Sequence, residues 1–149
     1  MTETTLETLH LCLSGHLDVV KLLLRHEIRT KIDFNATDYS HGSTALMLAC
    51  ENGNTEIVKV LLDHLIGGNI DINAKDRLGQ TAFMLACKYG CFDVVKLLLG
   101  HEVSKRIDFS IQNNFGKTAI MLAKGKRENE IVELISENMY YKLQNSEIK

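Results

Sequence analysis

The chain has 149 residues, a formal net charge of −2 and 45% hydrophobic residues, a composition typical of an ordinary folded domain. The near-neutral charge argues against nucleic acid as the main partner, because non-specific phosphate binding depends on a surplus of Lys and Arg. No apolar run approaches the ~18 residues that span a bilayer, and the amino terminus lacks the layout of a secretory signal, so we expect an intracellular protein of the cytoplasm or nucleus and no membrane partner.

Apolar residues at helical spacing predict an amphipathic helix in four places along the chain. The four blocks are Leu17–Leu24, Thr55–Leu62, Phe92–Leu99 and Asn129–Ile135. A further helix is predicted before each of the last three blocks, in strings of the form Gly-x-Thr-Ala-x-Met-Leu-Ala that begin at Gly42, Gly79 and Gly116, 37 residues apart. The Thr of each string is a suitable N-cap, because its hydroxyl can accept a hydrogen bond from a free backbone amide of the first turn.

Turn and extended segments connect these predicted helices. Gly15, Gly53 and Gly90 fall between the two helices of a unit, where a left-handed conformation ends the first helix at little cost. Between units, alternating apolar and polar residues before an Asp or Asn and a Gly predict a β-like finger. The finger segments are Ile32–Asp38, Ile70–Asp76 and Ile107–Asn113, and the first tip is one residue longer, within Tyr39, Ser40 and His41. The fixed period predicts an elongated solenoid that functions through its surface.

These strings resemble the ankyrin repeat, whose pattern runs Gly-x-Thr-x-Leu-x-Leu-Ala, then Gly-x-x-Glu-Ile-Val-x-x-Leu-Leu, then Asp-Ile-Asn-Ala-x-Asp. The resemblance covers nearly the whole chain and implies an all-α repeat solenoid of helix-turn-helix units with β-like finger loops. We expect one domain over residues 1–149, with repeats at approximately 1–38, 39–75, 76–112 and 113–149 and with the first and last repeats as caps.

The chain departs from the family pattern in two respects. The usual Thr-Pro-Leu-His becomes Thr-Ala-x-Met, which loses the Pro at the first helical position and the His that braces the turn. The period is 37 rather than 33, and the surplus follows His26, His64 and His101. Apolar residues continue the helical spacing into this surplus, so we interpret it as an extension of the outer helix by about one turn, with a flexible loop as the alternative.

Cysteine and histidine raise the question of a metal site or a nucleophile. Cys12, Cys50 and Cys87 share one repeat position where the family has a small packed residue, so we expect buried structural thiols. The three equivalent histidines should meet free carbonyls at the end of the outer helix. Cys91 is expected in a turn, and no C-x-x-C motif occurs. We therefore expect no enzyme, no metal and no cofactor. Basic residues of the surplus segments, interpreted as solvated loop residues, are Arg25, Arg29, Lys31, Lys105 and Arg106.

The resemblance implies that a protein partner lies across the finger tips and the concave face of the first helices. The matching tip positions are Tyr39, His41, Ser43, Arg77, Leu78, Gln80, Asn114, Phe115 and Lys117, and the matching helix positions are Glu51, Asn52, Lys88, Tyr89 and Lys126. Tyr39 and Arg77 are the strongest candidates, because the pattern assigns neither a packing role. Leu78 and Phe115 are as readily explained by packing on the adjacent finger.

The function expected from these observations is a non-catalytic interaction module, an adaptor, scaffold or inhibitor, that acts as a monomer. The alternatives are a scaffold segment of a larger multidomain protein and a pathogen or viral effector that mimics host ankyrin proteins. An enzyme that uses Cys91 or a His would require a reactive thiol with a depressed pKa. Asn35 and Asn73 resemble the site of an asparaginyl hydroxylase in some ankyrin proteins, although a turn-stabilising role explains them better.

Overall fold

The computed structural model describes residues 3–25, 32–64, 70–125 and 129–146. Within these ranges the chain is helical and contains no strand, as the sequence predicts. The helices are α1 (Glu3–Ser14), α2 (Leu17–Arg25), α3 (Ala45–Glu51), α4 (Thr55–His64), α5 (Ala82–Lys88), α6 (Phe92–Gly100), a 3₁₀ helix (Glu102–Arg106), α7 (Ala119–Gly125) and α8 (Asn129–Ser146).

The helices form two stacked rows. Helices α1, α3, α5 and α7 contact one another in order and form the inner row, and α2, α4, α6 and α8 form the outer row in the same way. Each inner helix also contacts its own outer helix, so the core runs between the rows. Cys12, Cys50 and Cys87 are 0% exposed in this core, which confirms them as buried packing residues. Gly15, Gly53 and Gly90 have φ of 75°, 68° and 70°, the left-handed turn that was predicted.

The Thr caps of the inner helices form in two repeats. Thr44 and Thr81 accept the backbone N–H groups of Met47 and Met84 at 3.3 Å. The sulfur of Met47 in turn accepts the Thr44 N–H at 3.4 Å, so Met supplies a bond at the turn where the family has His. The cap predicted at Thr118 is wrong, because its hydroxyl is buried and has no hydrogen-bond partner among the described residues.

The surplus of the third repeat is neither a continued α-helix nor a flexible loop. Helix α6 ends at Gly100, and His101 has an extended backbone, with φ −83° and ψ 158°. The imidazole Nδ1 of His101 accepts the N–H of Val103 at 3.3 Å and begins the 3₁₀ helix. The predicted helix extension is therefore wrong here, since His101 caps a new helix instead of meeting carbonyls of the old one. The surplus segments after His26 and His64 lie outside the described residues, as do Arg29 and Lys31.

The 3₁₀ helix is attached to its neighbours by two basic side chains. Arg106 Nη2 donates to the carbonyl oxygen of Ile70 at 2.6 Å, so Arg106 is not the solvated loop residue that was expected. Lys142 of α8 donates to the carbonyl oxygen of Ser104 at 2.5 Å and lies 4.3 Å from the ring centre of Phe109. The long last helix thereby holds the third-repeat insertion against the stack.

Hydrogen bonds between successive fingers align the repeats. At the base of the fingers, Asn35 Oδ1 accepts the N–H of Asp71 at 3.0 Å. One repeat later, Asn73 donates to the carbonyl oxygen of Arg106 at 2.8 Å and accepts the N–H of Asp108 at 3.1 Å. Both asparagine side chains thus have a structural role, but these bonds join successive fingers rather than stabilise the turn as was expected.

The finger tips close through backbone bonds at equivalent positions. The N–H groups of Asp38, Asp76 and Asn113 donate to the carbonyl oxygens of Ser43, Gln80 and Lys117. The first closure spans one residue more than the other two, which confirms the longer first tip. Adjacent tips are joined as well, because the N–H of Arg77 donates to His41 O and that of Asn114 to Leu78 O, both at 2.9 Å.

Thr81 and Thr118 offer a matched test of the cap. Replacing Thr81 by Val should lower the free energy of unfolding by about 1 kcal/mol, because the N–H of Met84 loses its acceptor. The same change at Thr118 should not lower it, since the hydroxyl removed there is buried without a described partner. Urea denaturation followed by far-ultraviolet circular dichroism measures both values, and an equal loss in both variants would contradict the assignment.

Asn73 and Ser110 test the bonds between fingers in a similar way. Asn73→Ala should cost about 1 kcal/mol of unfolding free energy, since two bonds to the following finger are lost at a partly exposed site. Ser110 has the equivalent position one repeat later, where its hydroxyl bonds within its own turn to Asp108. Ser110→Ala should therefore lower the unfolding free energy by clearly less in the same denaturation experiment. A larger loss in Ser110→Ala than in Asn73→Ala would contradict the stabilising role of the bonds between fingers.

Candidate functional site

A groove opens on the inner side of the stack, between the first two finger tips and the carboxyl ends of α3 and α5. It has a volume of about 420 Å³, and we call it the inner groove. The residues that line the inner groove are Ser40, His41, Ser43, Glu51, Asp76, Arg77, Leu78, Gln80, Leu85, Lys88 and Tyr89. Two consecutive repeats thus contribute to one concave surface.

A second hollow adjoins the inner groove towards α1. It has a volume of about 430 Å³ and is lined by Leu9, His10, Asp38, Ser40, His41, Leu48, Glu51 and Asn52. Both hollows share Ser40, His41 and Glu51. The concave face is therefore continuous from α1 to α5.

Acidic side chains hold the finger tips that form the wall of the groove. Asp76 Oδ1 accepts the N–H groups of Leu78 and Gln80 at 2.9 and 2.7 Å. Asp38 Oδ1 accepts the N–H groups of His41 and Gly42 at 2.6 and 3.1 Å. Partial burial alone would raise the pKa of Asp38, but these backbone bonds, together with a bond from the Ser40 hydroxyl, lower it overall. Both tips therefore present a fixed backbone to the groove.

Helix ends α3 and α5 supply the charged and aromatic groups. Tyr89 follows α5, and a hydrogen bond from its hydroxyl to the Glu51 carboxylate, with partial burial, raises its pKa. Lys88 Nζ donates to Gln80 Oε1 at 3.1 Å and lies 5.2 Å from the Tyr89 ring centre. The groove thus combines an aromatic ring, a cation and a carboxylate within one surface.

Most of the residues predicted from the repeat register come together in these two hollows. The inner groove includes His41, Ser43, Glu51, Arg77, Leu78, Gln80, Lys88 and Tyr89, and the second hollow includes Asn52. Ser43 and Gln80 are only 3% and 4% exposed, so they are not the surface positions that were expected. Arg77 also has a structural role that the pattern did not reveal, because its Nη1 donates to Ser40 O at 3.0 Å.

Four predicted residues lie outside both hollows. Tyr39 and Phe115 project from finger tips and are 73% and 70% exposed, and Asn114 and Lys117 are exposed beside Phe115. Asn114 also donates through Nδ2 to the carbonyl oxygen of Arg77 at 3.0 Å. Lys126 lies outside the described residues.

Several groove residues were not predicted. These are Leu9, His10, Asp38, Ser40, Leu48, Asp76 and Leu85. The register contained a signal for some of them, because Leu48 and Leu85 are 37 residues apart on the inner helices and His10 is the equivalent residue in the first repeat. Asp76 and Asp38 were considered only as turn residues, although the same turns form the groove wall.

The thiols have the properties of packed rather than reactive groups. Burial raises the pKa of Cys12 and of Cys87 to about 12, and it also raises the pKa of Cys50. Cys91 is partly buried in the turn between α5 and α6, and its Sγ lies 3.8 Å from the Glu51 carbonyl oxygen as a weak donor. Burial and the charge of Glu51 raise the pKa of Cys91 as well. Within the described ranges, no three His, Cys, Asp or Glu side chains are placed to hold a metal ion.

Comparison with known proteins gives a consistent picture. The family model for ankyrin repeats (3 copies) matches residues 3–76 and 63–146. Among 461 matching chains of solved structures is one in the crystal structure of the yeast ribosomal protein Rps3 in complex with its chaperone Yar1. That match has a TM-score of 0.78 and 27% sequence identity, and it covers 89% of this chain and 91% of that chain. No curated protein sequence matches the chain. None of the described helices is long and apolar enough to cross a membrane.

Thiol labelling tests the assignment of the cysteines. In the folded protein at about pH 8, Cys91 should react slowly with a disulfide reagent, and the three buried cysteines should be protected. Because the pKa of Cys91 is raised above the usual 9.0, its thiolate fraction and labelling rate should keep rising above pH 9. The Cys91→Ser variant should lose this reaction, and rapid labelling of that variant in the folded state would contradict the burial of the other thiols.

Proposed function

Because the chain belongs to the ankyrin-repeat family, we propose that it is a non-catalytic protein-binding module that holds a segment of its partner in the inner groove. The observation that carries this proposal is the concave surface on which Leu78, Lys88 and Tyr89 meet. Leu78 and Tyr89 are 44% and 48% exposed, so two large apolar groups are available to a partner beside a cation. Aromatic and basic groups around a hollow are typical of binding hot spots.

A rigid frame supports this role. The backbone of each tip is held by its acidic residue and by the adjacent tip, so little conformational freedom is lost when a partner binds. The similar yeast structure supports the same class of function, since it holds a ribosomal protein in complex with its chaperone. The burial and raised pKa of the cysteines support a role without covalent catalysis.

The proposal extends to the setting of the module. We place it inside the cell as a monomeric domain of four repeats, in the role of an adaptor, scaffold or inhibitor. Tyr39, Asn114, Phe115, Lys117 and Lys126 remain proposed as peripheral contacts at the tips and beyond the inner groove. Hydroxylation of Asn35 or Asn73 also remains a proposal, and it would act on side chains that bond to the following finger.

A capture experiment with two matched variants tests the groove. Tagged protein is crosslinked in a cell extract as wild type, as Leu78→Ala with Tyr89→Ala, and as Phe115→Ala. The amount of one captured protein should be at least about tenfold lower with the double variant than with the wild type, because the variant removes two exposed apolar contacts of the groove. Phe115→Ala should lower capture by clearly less than the double variant, since Phe115 is 70% exposed but is proposed only as a peripheral contact outside the groove.

Circular dichroism and thermal unfolding serve as the control, since all three proteins should show the same helicity. Capture that survives the double variant and is lost from Phe115→Ala would move the site to the last finger tip. Capture that is equal in all three proteins would refute the inner groove as the binding site.

A further inference from the structure

The carboxylates of the inner groove already have hydrogen-bond donors from this chain. Asp76 accepts two backbone N–H groups through Oδ1, and its Oδ2 accepts the side-chain amide of Gln80 at 3.1 Å. The Glu51 carboxylate accepts the Tyr89 hydroxyl, and this bond is the main cause of the raised Tyr89 pKa. A cationic ligand would have to compete with donors that are already in place.

The cations of the groove are in the opposite situation. Lys88 donates to a neutral amide oxygen, and Arg77 donates to a backbone carbonyl oxygen. Neither forms an ion pair with a carboxylate in the described part of the chain. An ammonium has three donors and a guanidinium has five, so both side chains keep unused donors. The formal charges of the lining cancel, with Arg77 and Lys88 against Glu51 and Asp76, but both cations keep donors that no described carboxylate of this chain uses.

Gln80 keeps the two kinds of charge apart. Its Nε2 donates to Asp76 Oδ2 at 3.1 Å, and its Oε1 accepts Lys88 Nζ at 3.1 Å. This orientation of the amide is required chemically, because a carboxylate only accepts and an ammonium only donates. Gln80 is 4% exposed, so the bridge is held in place by the surrounding structure. Lys88 is thereby positioned by an uncharged partner, and its charge is not neutralised by Asp76 within a direct pair.

An apolar wall lies beside these cations. Leu85 is buried at the base of the groove, and the side chains of Leu78 and Tyr89 are about half exposed at its edges. The volume of about 420 Å³ falls in the range of about 300–1,000 Å³ that is typical of ligand pockets. A few side chains of an extended segment fit this space, whereas a folded domain would contact only its rim.

We propose that the inner groove recognises an acidic segment of the partner, in which an Asp or Glu side chain pairs with Lys88 and Arg77 while a neighbouring apolar side chain packs against Leu78 and Tyr89. This inference rests on the protein-binding role proposed above. A charge-assisted hydrogen bond to the partner carboxylate is about twice as strong as a neutral one, so it supplies specificity that the apolar wall lacks. Glu51 and Asp76 line the same groove, so they would repel a segment that carries more negative charge than Lys88 and Arg77 can pair.

Selection of displayed peptides tests this specificity. A random peptide library is selected on the wild-type protein, and binders are counter-selected on Lys88→Gln. The enriched peptides should contain more Asp and Glu than the starting library, and Lys88→Gln should weaken them by about tenfold or more. Lys96→Gln is the matched control, because it makes the same change on the exposed side of α6, away from the groove. It should leave binding unchanged.

The outcomes separate this inference from the proposed function. Enrichment of Lys and Arg, or absence of any peptide that depends on Lys88, would overturn the acidic specificity. If Lys88→Gln lowers the midpoint of thermal unfolding, Arg77→Gln is used instead, and it should weaken peptide binding by the same factor of about ten. The crosslinking experiment can also be repeated with Lys88→Gln and Arg77→Gln. If these two variants retain the captured protein and the Leu78→Ala, Tyr89→Ala variant loses it, the groove is the binding site and only the acidic specificity is wrong.

Discussion

Burial of each repeat against the next is the constraint on which the structure depends. The first outer helix shows this directly, because Val19 is 40% exposed while its equivalents Ile57, Val94 and Ile131 are 2%, 1% and 0% exposed. These residues are chemically similar and have the same place on their helices. The difference is that a described helix pair precedes the last three and none precedes α2. Burial of apolar surface is therefore a property of pairs of repeats, as expected for a nearest-neighbour stack.

The finger contacts follow from that stacking. Once consecutive inner helices pack together, their tips come within hydrogen-bond distance, and Arg77 and Asn114 bond to the tip before them. This closeness also explains Gly79, which has a φ of 73°. A Cβ atom there would lie 2.6 Å from Asn114 Oδ1 and 3.0 Å from its backbone nitrogen. The second and third tips can therefore approach each other this closely because position 79 carries no Cβ atom.

The residue pattern predicts well whatever depends on a single repeat. Helix positions, the left-handed glycines, the buried cysteines and the longer first tip all follow from the repeat register, in which the first repeat is offset by 38 residues and the later ones by 37. It fails where the neighbouring repeat decides the outcome. Thr118 has the same local string as Thr44 and Thr81, yet it forms no described cap. Met121 of that string is 47% exposed, whereas Met47 is 1% exposed.

The same distinction explains the partial success at the candidate site. Register placed Lys88, Tyr89 and Leu78 on one concave face, but it could not show that Gln80 is buried as a bridge between Lys88 and Asp76. That bridge depends on how two tips and two helix ends meet. Because the inner groove is built from both repeats, a partner bound there contacts each side of their interface. Binding should stabilise the stacked state over any state in which the two repeats separate, since only the stack presents the complete groove.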